Sequence, residues 1–215
     1  MSDASDPTDE QLRPAWAEGL APPTPWRDRG ASTVYDNPWL VVTEHQAIAP
    51  TGADARYGVC RPKNLAVGVL PLHTDGTVTL VGQSRFPLMT YSWEMPEGGA
   101  PFDEDPLVGA QRELAEEAGL KADHWLEVLR MDLSNSVTDE RAVAWLAWGL
   151  TAVPVAPDPT EVIAVVRVPF TALIHEIGRG SIRDAFTVAT ALRAYHMARE
   201  GLLPGWLAHA MLTRV

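Results

Sequence analysis

The chain has 215 residues, longer than one average domain of about 150 residues and shorter than two, so one main domain with an extension is expected. Hydrophobic residues make up 46% and charged residues 21%, a globular composition that excludes a disordered chain. With 17 Lys and Arg against 28 Asp and Glu, the formal net charge is −11; this argues against a nucleic-acid polymer as partner, because such binding relies on cations displacing counterions from phosphates.

Residues 1–25 mix acids with prolines and carry no sustained periodicity, so a mobile N-terminal arm is expected there. They lack the basic start and apolar stretch of a secretory signal. No apolar run approaches the roughly 20 residues that span a bilayer, and the expectation is a cytoplasmic protein with no membrane partner. Residues 26–62 hold strand-like runs at Trp39–Glu44 and Arg56–Cys60, separated by a Pro50–Thr51–Gly52 turn. Three short strands here predict a small antiparallel sheet, too thin to stand alone, that packs on the main domain or on a second subunit. Cys60 is the one cysteine. It excludes a disulfide framework and a cysteine-rich zinc site, and it fits a reducing compartment.

The main domain is assigned to residues 63–215. Leu65–Leu72 and Thr77–Gly82 flank His73–Thr74–Asp75–Gly76, a hairpin signal. Further strands are expected at Leu126–Asp132, Arg141–Leu150 and Val162–Val168. Helices are expected at Pro106–Ala118, Phe170–Ile177 and Arg183–Glu200, with an amphipathic tail helix past Gly201. In the third of these helices, Ala185, Val188, Leu192 and Tyr195 follow a helical spacing and are read as a core-facing stripe. Strands and helices interleave without regular βαβ alternation, which predicts an α/β fold with a mixed sheet between helices.

The segment Trp93–Leu120 carries the chemistry. Asp105 is a good N-cap, Pro106 suits the first helical position and Gly119 is a natural stop. Leu107, Ala110, Leu114 and Ala118 share a face and are assigned to the core. Glu113 and Glu117 lie one above the other on another face, with Glu116 beside them. Like charges at that spacing repel by roughly 3 kcal/mol at an effective dielectric of about 20, and acids in a last turn oppose the helix dipole. Arg112 relieves only part of this. Two readings stand: a solvated acidic helix end, or carboxylates whose repulsion is relieved by Mg²⁺, with Mn²⁺ as a substitute.

The same segment resembles the Nudix box, G-x5-E-x7-R-E-U-x-E-E-x-G-U with U aliphatic. Gly98, Glu104, Arg112, Glu113, Leu114, Glu116, Glu117, Gly119 and Leu120 fill every fixed position. The resemblance implies an α/β/α sandwich and Mg²⁺-dependent hydrolysis of a nucleoside diphosphate linked to another group. By the same resemblance, Glu113, Glu116 and Glu117 are metal ligands, with Glu113 and Glu117 central to catalysis. Arg112 and Glu104 orient them by pairing, and the backbone at Glu97–Gly98 approaches the metal, with Glu97 a further ligand.

Beyond the box, Tyr35–Asp36–Asn37–Pro38–Trp39, Gln83–Ser84–Arg85–Phe86–Pro87 and Glu94–Met95–Pro96–Glu97–Gly98–Gly99 are similar to the ADP-ribose pyrophosphatase branch. In that branch the N-terminal sheet is exchanged across a homodimer and helps form the nucleotide pocket. The resemblance gives Glu161 as metal ligand or base, with Glu140 as the second choice. It also places Arg85, Glu94, Gly98, Glu140 and Trp39 within reach of a nucleotide-sugar substrate. Arg85 equally suits a structural pair with Glu94, and Trp39 suits packing. The branch commonly carries Ser-Pro-Gly before the second acid, where this chain reads Leu133–Ser134–Asn135–Ser136–Val137. Without Pro and Gly this loop takes another path, which opens the substrate to GDP-mannose or another nucleotide sugar. A nucleotide sensor without turnover is a second functional class, and a coenzyme A or dinucleoside polyphosphate hydrolase a third.

Overall fold

The computed structural model describes residues 14–20, 24–155 and 162–213. Glu161 and residues 1–13 of the expected arm lie outside the described residues. Two compact units are distinguished: the described residues up to Ser32 with Glu44–Gly58, and Thr33–Thr43 with Val59 onward.

The N-terminal strands are β1 (Arg27–Asp36), β2 (Leu40–Ile48) and β3 (Asp54–Pro62), forming a three-stranded sheet in the order β1-β2-β3. All three run longer than the apolar runs in the sequence, and β1 is exposed along its whole length. Within the first unit, Asp28 accepts from the Gly30 amide and meets the His45 ring, and Arg56 pairs with Glu44.

The second unit carries β4 (Asn64–Pro71), β5 (Thr77–Arg85), β6 (Thr90–Glu94), β7 (Glu97–Pro101), α1 (Pro106–Ala118), β8 (Leu120–Asp132), β9 (Arg141–Ala152), β10 (Ala164–Pro169), α2 (Phe170–Arg179), α3 (Ala185–Arg199) and α4 (Gly205–Leu212). They build a four-stranded mixed sheet, β7-β4-β9-β8, and a three-stranded sheet, β10-β5-β6. β4 runs parallel to β9 and antiparallel to β7. The fold is the expected α/β class with a mixed sheet between helices.

Alternation along the strands explains the layers. On β4, Val67 and Val69 join the two clusters beneath α1, while Leu70 and, just past the strand, Leu72 join the cluster beneath α2, α3 and α4. On β9, Val143 and Trp145 face the first side and Ala142, Ala144 and Leu146 the second. Successive side chains on a strand point to opposite faces, so a strand buried on both sides reads as a continuous apolar run. Each fully buried Leu or Val stabilises this arrangement by about 1.5–3 kcal/mol.

Two expectations are corrected. His73–Gly76 does turn, with the His73 amide donating to Thr77 O and the Gly76 amide to His73 O. Its flanking strands, however, share only the Leu72–Val78 bridge and then part into different sheets. On α3, Ala185 and Leu192 are exposed and Val188 and Tyr195 half-buried, whereas Phe186, Thr187, Thr190, Ala191, Ala194, Met197 and Ala198 are buried. The buried face includes two threonines, which an apolar stripe does not count. The short strands β6 and β7 had no periodic signal; glycines and prolines interrupt the segment that forms them. No helix among the described residues is long and apolar enough to cross a membrane.

Candidate active site

Helix α1 forms where its capping residues predict. Asp105 accepts from the Leu107 amide at 2.9 Å, Pro106 occupies the first turn, and Gly119 closes the helix at φ 63°, a left-handed conformation that favours glycine. Ala110, Leu114 and Ala118 fix the helix to the sheet. That anchoring sets the direction of the acidic face. Glu113 and Glu117 are buried, at 9% and 4% exposure, so they do not form a solvated acidic end. Glu116 is half-exposed.

The opposing wall is the turn between β6 and β7. The Glu97 amide donates to Glu117 Oε2 at 2.9 Å. A Cβ on Gly98 would lie 2.3 Å from the Glu113 carboxyl carbon, so any side chain here would force the Glu113 carboxylate to move. Met95, fully buried, donates its amide to Thr187 Oγ1 at 3.0 Å, tying the turn to α3.

Two guanidiniums offset part of the charge. Arg112 Nη1 donates to Glu113 Oε1 at 2.7 Å, and Nη2 to the Gly99 carbonyl at 2.8 Å. The same side chain stands 3.6 Å from both Glu104 and Glu116. Arg85 forks onto Glu94 through Nε and Nη2 and reaches Glu97 Oε1 at 3.2 Å. Burial works against both guanidinium charges, yet the neighbouring carboxylates outweigh it and hold both pKa values above the ordinary one. Arg85 and Glu94 thus form an ion pair on the wall of the site.

Glu97 feels the opposite balance. Burial comes first, then the fields of Asp184 and Glu94; Arg85 offsets part, and Glu117 adds to the push. Its carboxyl is held well above the usual range. Glu97 Oε2 and Glu104 Oε2 are buried without a hydrogen-bond partner among the described residues.

Arg85, Glu94, Glu97 and Gly98 open onto a cleft of about 1060 Å³. Its other walls include Leu88 and Tyr91 after β5, Met131 on β8 with Leu133, Ser134 and Glu140 after it, and Arg183, Asp184 and Phe186 at the start of α3. Burial raises the Glu140 carboxyl above its ordinary value. The loop without Ser-Pro-Gly closes as a helical turn, with the Val137 and Thr138 amides donating to Ser134 O and the Cys60 amide to Val137 O. Trp39 does not line this cleft; it is 71% exposed at the entry to β2, its amide donating to Asn37 Oδ1. Glu161 lies outside the described residues.

Sequence reading missed Arg183, Asp184 and Tyr91 on the cleft walls. Asp184 had a usable signal. It precedes Thr187 by three residues and its carboxylate accepts from the Thr187 amide at 2.6 Å, an N-cap hidden by starting the helix at Arg183, two residues too early.

Hard carboxylate oxygens are the donor type that a hard divalent cation takes, and Glu97 Oε2 is buried without a hydrogen-bond partner among the described residues. Among the described residues no three candidate ligands stand together as a formed metal cluster. The Arg112 and Glu97 contacts hold Glu113 and Glu117 toward the protein instead.

Comparison with known proteins agrees with the geometry. The profile of the NUDIX domain family matches residues 62–187. An ADP-ribose pyrophosphatase of Mycobacterium tuberculosis is 30% identical over 139 residues, covering 63% of this chain and 67% of that protein. A methanol dehydrogenase activator of Bacillus methanolicus is 28% identical over 141 residues, covering 65% and 76%. An RNA pyrophosphohydrolase of Caulobacter vibrioides is 46% identical over only 54 residues, 25% of this chain and 31% of that one. A crystal structure of an ADP compounds hydrolase superposes with a TM-score of 0.74 at 18% identity, covering 82% of this chain and 95% of that chain, which supports the fold. With the family profile spanning more than half of the sequence and a complete box folded against the Glu97–Gly98 turn, the chain belongs to the Nudix hydrolases and is similar to their ADP-ribose pyrophosphatase branch.

Proposed function

We propose that the protein hydrolyses the diphosphate bond of a nucleoside diphosphate linked to a sugar, with ADP-ribose giving AMP and ribose 5-phosphate, in the presence of Mg²⁺ or Mn²⁺. The observation that carries the reading is the burial of Glu113 and Glu117 against the Glu97–Gly98 turn beside a cleft of about 1060 Å³. Carboxylates in such a place are costly unless a cation joins them. The similarity to an ADP-ribose pyrophosphatase supports this substrate.

Glu113, Glu116, Glu117 and Glu97 would hold the cation, which when bound supplies positive charge to the diphosphate and favours ionisation of the attacking water. Arg112 orients Glu113, and Glu104 steadies Arg112 from the other side. Arg85 holds Glu94 and Glu97 in register on the cleft wall. Glu140, with its raised carboxyl facing the cleft, suits acceptance of the water's proton, and Glu161 is the other candidate base. The family's exchanged dimer also belongs to the proposal. The fully exposed β1, with Val34 and Tyr35 outward and Trp39 beyond it, supports a partner over that surface. The lone Cys60 fits work in the reducing cytoplasm.

One observation favours a second substrate reading. The turn at Ser134 replaces the branch's Ser-Pro-Gly loop on the cleft wall, so GDP-mannose or another nucleotide sugar is the alternative. Turnover of ADP-ribose, GDP-mannose and UDP-glucose with Mg²⁺, each repeated in EDTA, tests both readings. Preference for ADP-ribose supports the first, preference for another sugar nucleotide the second, and metal-independent turnover or none at all overturns the proposal.

A further inference from the structure

We infer that Arg183 is the cleft's phosphate anchor, a specificity-determining residue that binds the substrate's diphosphate from the cleft wall at the start of α3. The inference rests on the reading of the site as one for a nucleoside diphosphate. Charge on the cleft lining makes the argument. Its acids are Glu94, Glu97, Glu140 and Asp184; its cations are Arg85 and Arg183. Arg85 is committed, forked onto Glu94 and bonded to Glu97. Arg112 is committed to Glu113 and the Gly99 carbonyl and does not line the cleft. Arg183 is exposed and makes no hydrogen bond or ion pair with any described residue.

Its backbone is nonetheless fixed on both sides. Ile182 is buried in the core beneath α2 and α3, and its amide and that of Ser181 donate to Glu176 O. Asp184 caps α3 on the Thr187 amide, and Thr187 receives the Met95 amide from the turn that carries Glu97. Arg183 thus stands on an anchored stretch of backbone lining the same cleft as Glu97, its guanidinium without a partner among the described residues. A diphosphate entering this acidic cleft meets repulsion from every carboxylate not covered by a cation. A free guanidinium supplies the forked donors that phosphate oxygens accept.

The test compares the parent with Arg183→Gln and Arg183→Lys. Binding of inorganic pyrophosphate, AMP and adenosine is measured calorimetrically in EDTA, and turnover of the preferred sugar nucleotide is measured with Mg²⁺. Arg183→Gln should weaken pyrophosphate and AMP binding about tenfold and leave adenosine unchanged, and Arg183→Lys should recover part of the loss. KM should rise by a similar factor with kcat nearly constant, and added salt should erode the parent's advantage. Unchanged pyrophosphate and AMP affinity, or an equal loss for adenosine, overturns the inference. A parent that hydrolyses no sugar nucleotide refutes the reading of the site, while the pyrophosphate titration still decides whether Arg183 anchors phosphate.

Discussion

Gly98 and Glu113 face each other with no room for a methyl group between them. A Cβ at residue 98 would fall 2.3 Å from the Glu113 carboxyl carbon and 2.5 Å from either of its oxygens. The strand carrying Glu97 and the helix carrying Glu113 and Glu117 are therefore held together by an absence of side chain as much as by the Glu97–Glu117 hydrogen bond.

Gly98→Ala should push the Glu113 carboxylate off its Arg112 partner. A misplacement of about 1 Å at a catalytic group lowers kcat/KM about 100-fold. Overpacking should also cost about 1–3 kcal/mol of stability. Steady-state kinetics and urea denaturation of the purified variant check both. Activity near the parent's would mean that Glu113 moves aside without consequence.

Glu97 predicts a pH dependence. Its folded pKa lies well above the ordinary value of 4.5, with burial the largest cause and the fields of Asp184 and Glu94 next. Between those two pH values the folded state binds more protons than the unfolded chain, so stability falls as pH rises through that window. In EDTA the parent should lose stability from about pH 4.5 upward, and Glu97→Gln should flatten that slope. Added Mg²⁺ should release a proton in the parent and less in the variant, read by calorimetry in buffers of different ionisation enthalpy. Identical slopes and proton counts would contradict this account of Glu97.

Thr187 joins α3 to the turn before Glu97 through the buried Met95 amide. Thr187→Val keeps the shape but removes the acceptor, leaving a buried donor unmet. A loss of about 1–3 kcal/mol is expected, measured as a lower urea midpoint with an unchanged slope. No shift in midpoint would show that the amide finds another acceptor.

These contacts also show which parts of the molecule were legible beforehand. Helix α1 was readable because its stop and start signals are local: Asp105 caps it and Gly119 ends it in a left-handed turn. The box could be read for the same reason, since its spacing lies within one helix and the loop before it. What the sequence hid depends on distant contacts. The Leu72–Val78 pair looks like the base of a hairpin, yet β4 finds β7 and β9 while β5 finds β6 and β10. Thr187 and Thr190 are fully buried on α3, so a count of apolar residues missed the most buried face and found only its margin, where Val188 and Tyr195 pack against the core. Arg183 and Asp184 belong to no motif, and the core places them on the cleft only through Ile182 and the α3 cap.

The most direct test of the central claim, that the buried box carboxylates serve a divalent cation in diphosphate hydrolysis, is release of AMP from ADP-ribose by the parent and by Glu117→Gln across a Mg²⁺ titration. The account predicts turnover that saturates with Mg²⁺ in the parent, vanishes in EDTA, returns on adding excess Mg²⁺, and falls at least about 100-fold in a folded Glu117→Gln variant. Equal AMP release by the two proteins, or turnover by the parent that persists in EDTA, would contradict it.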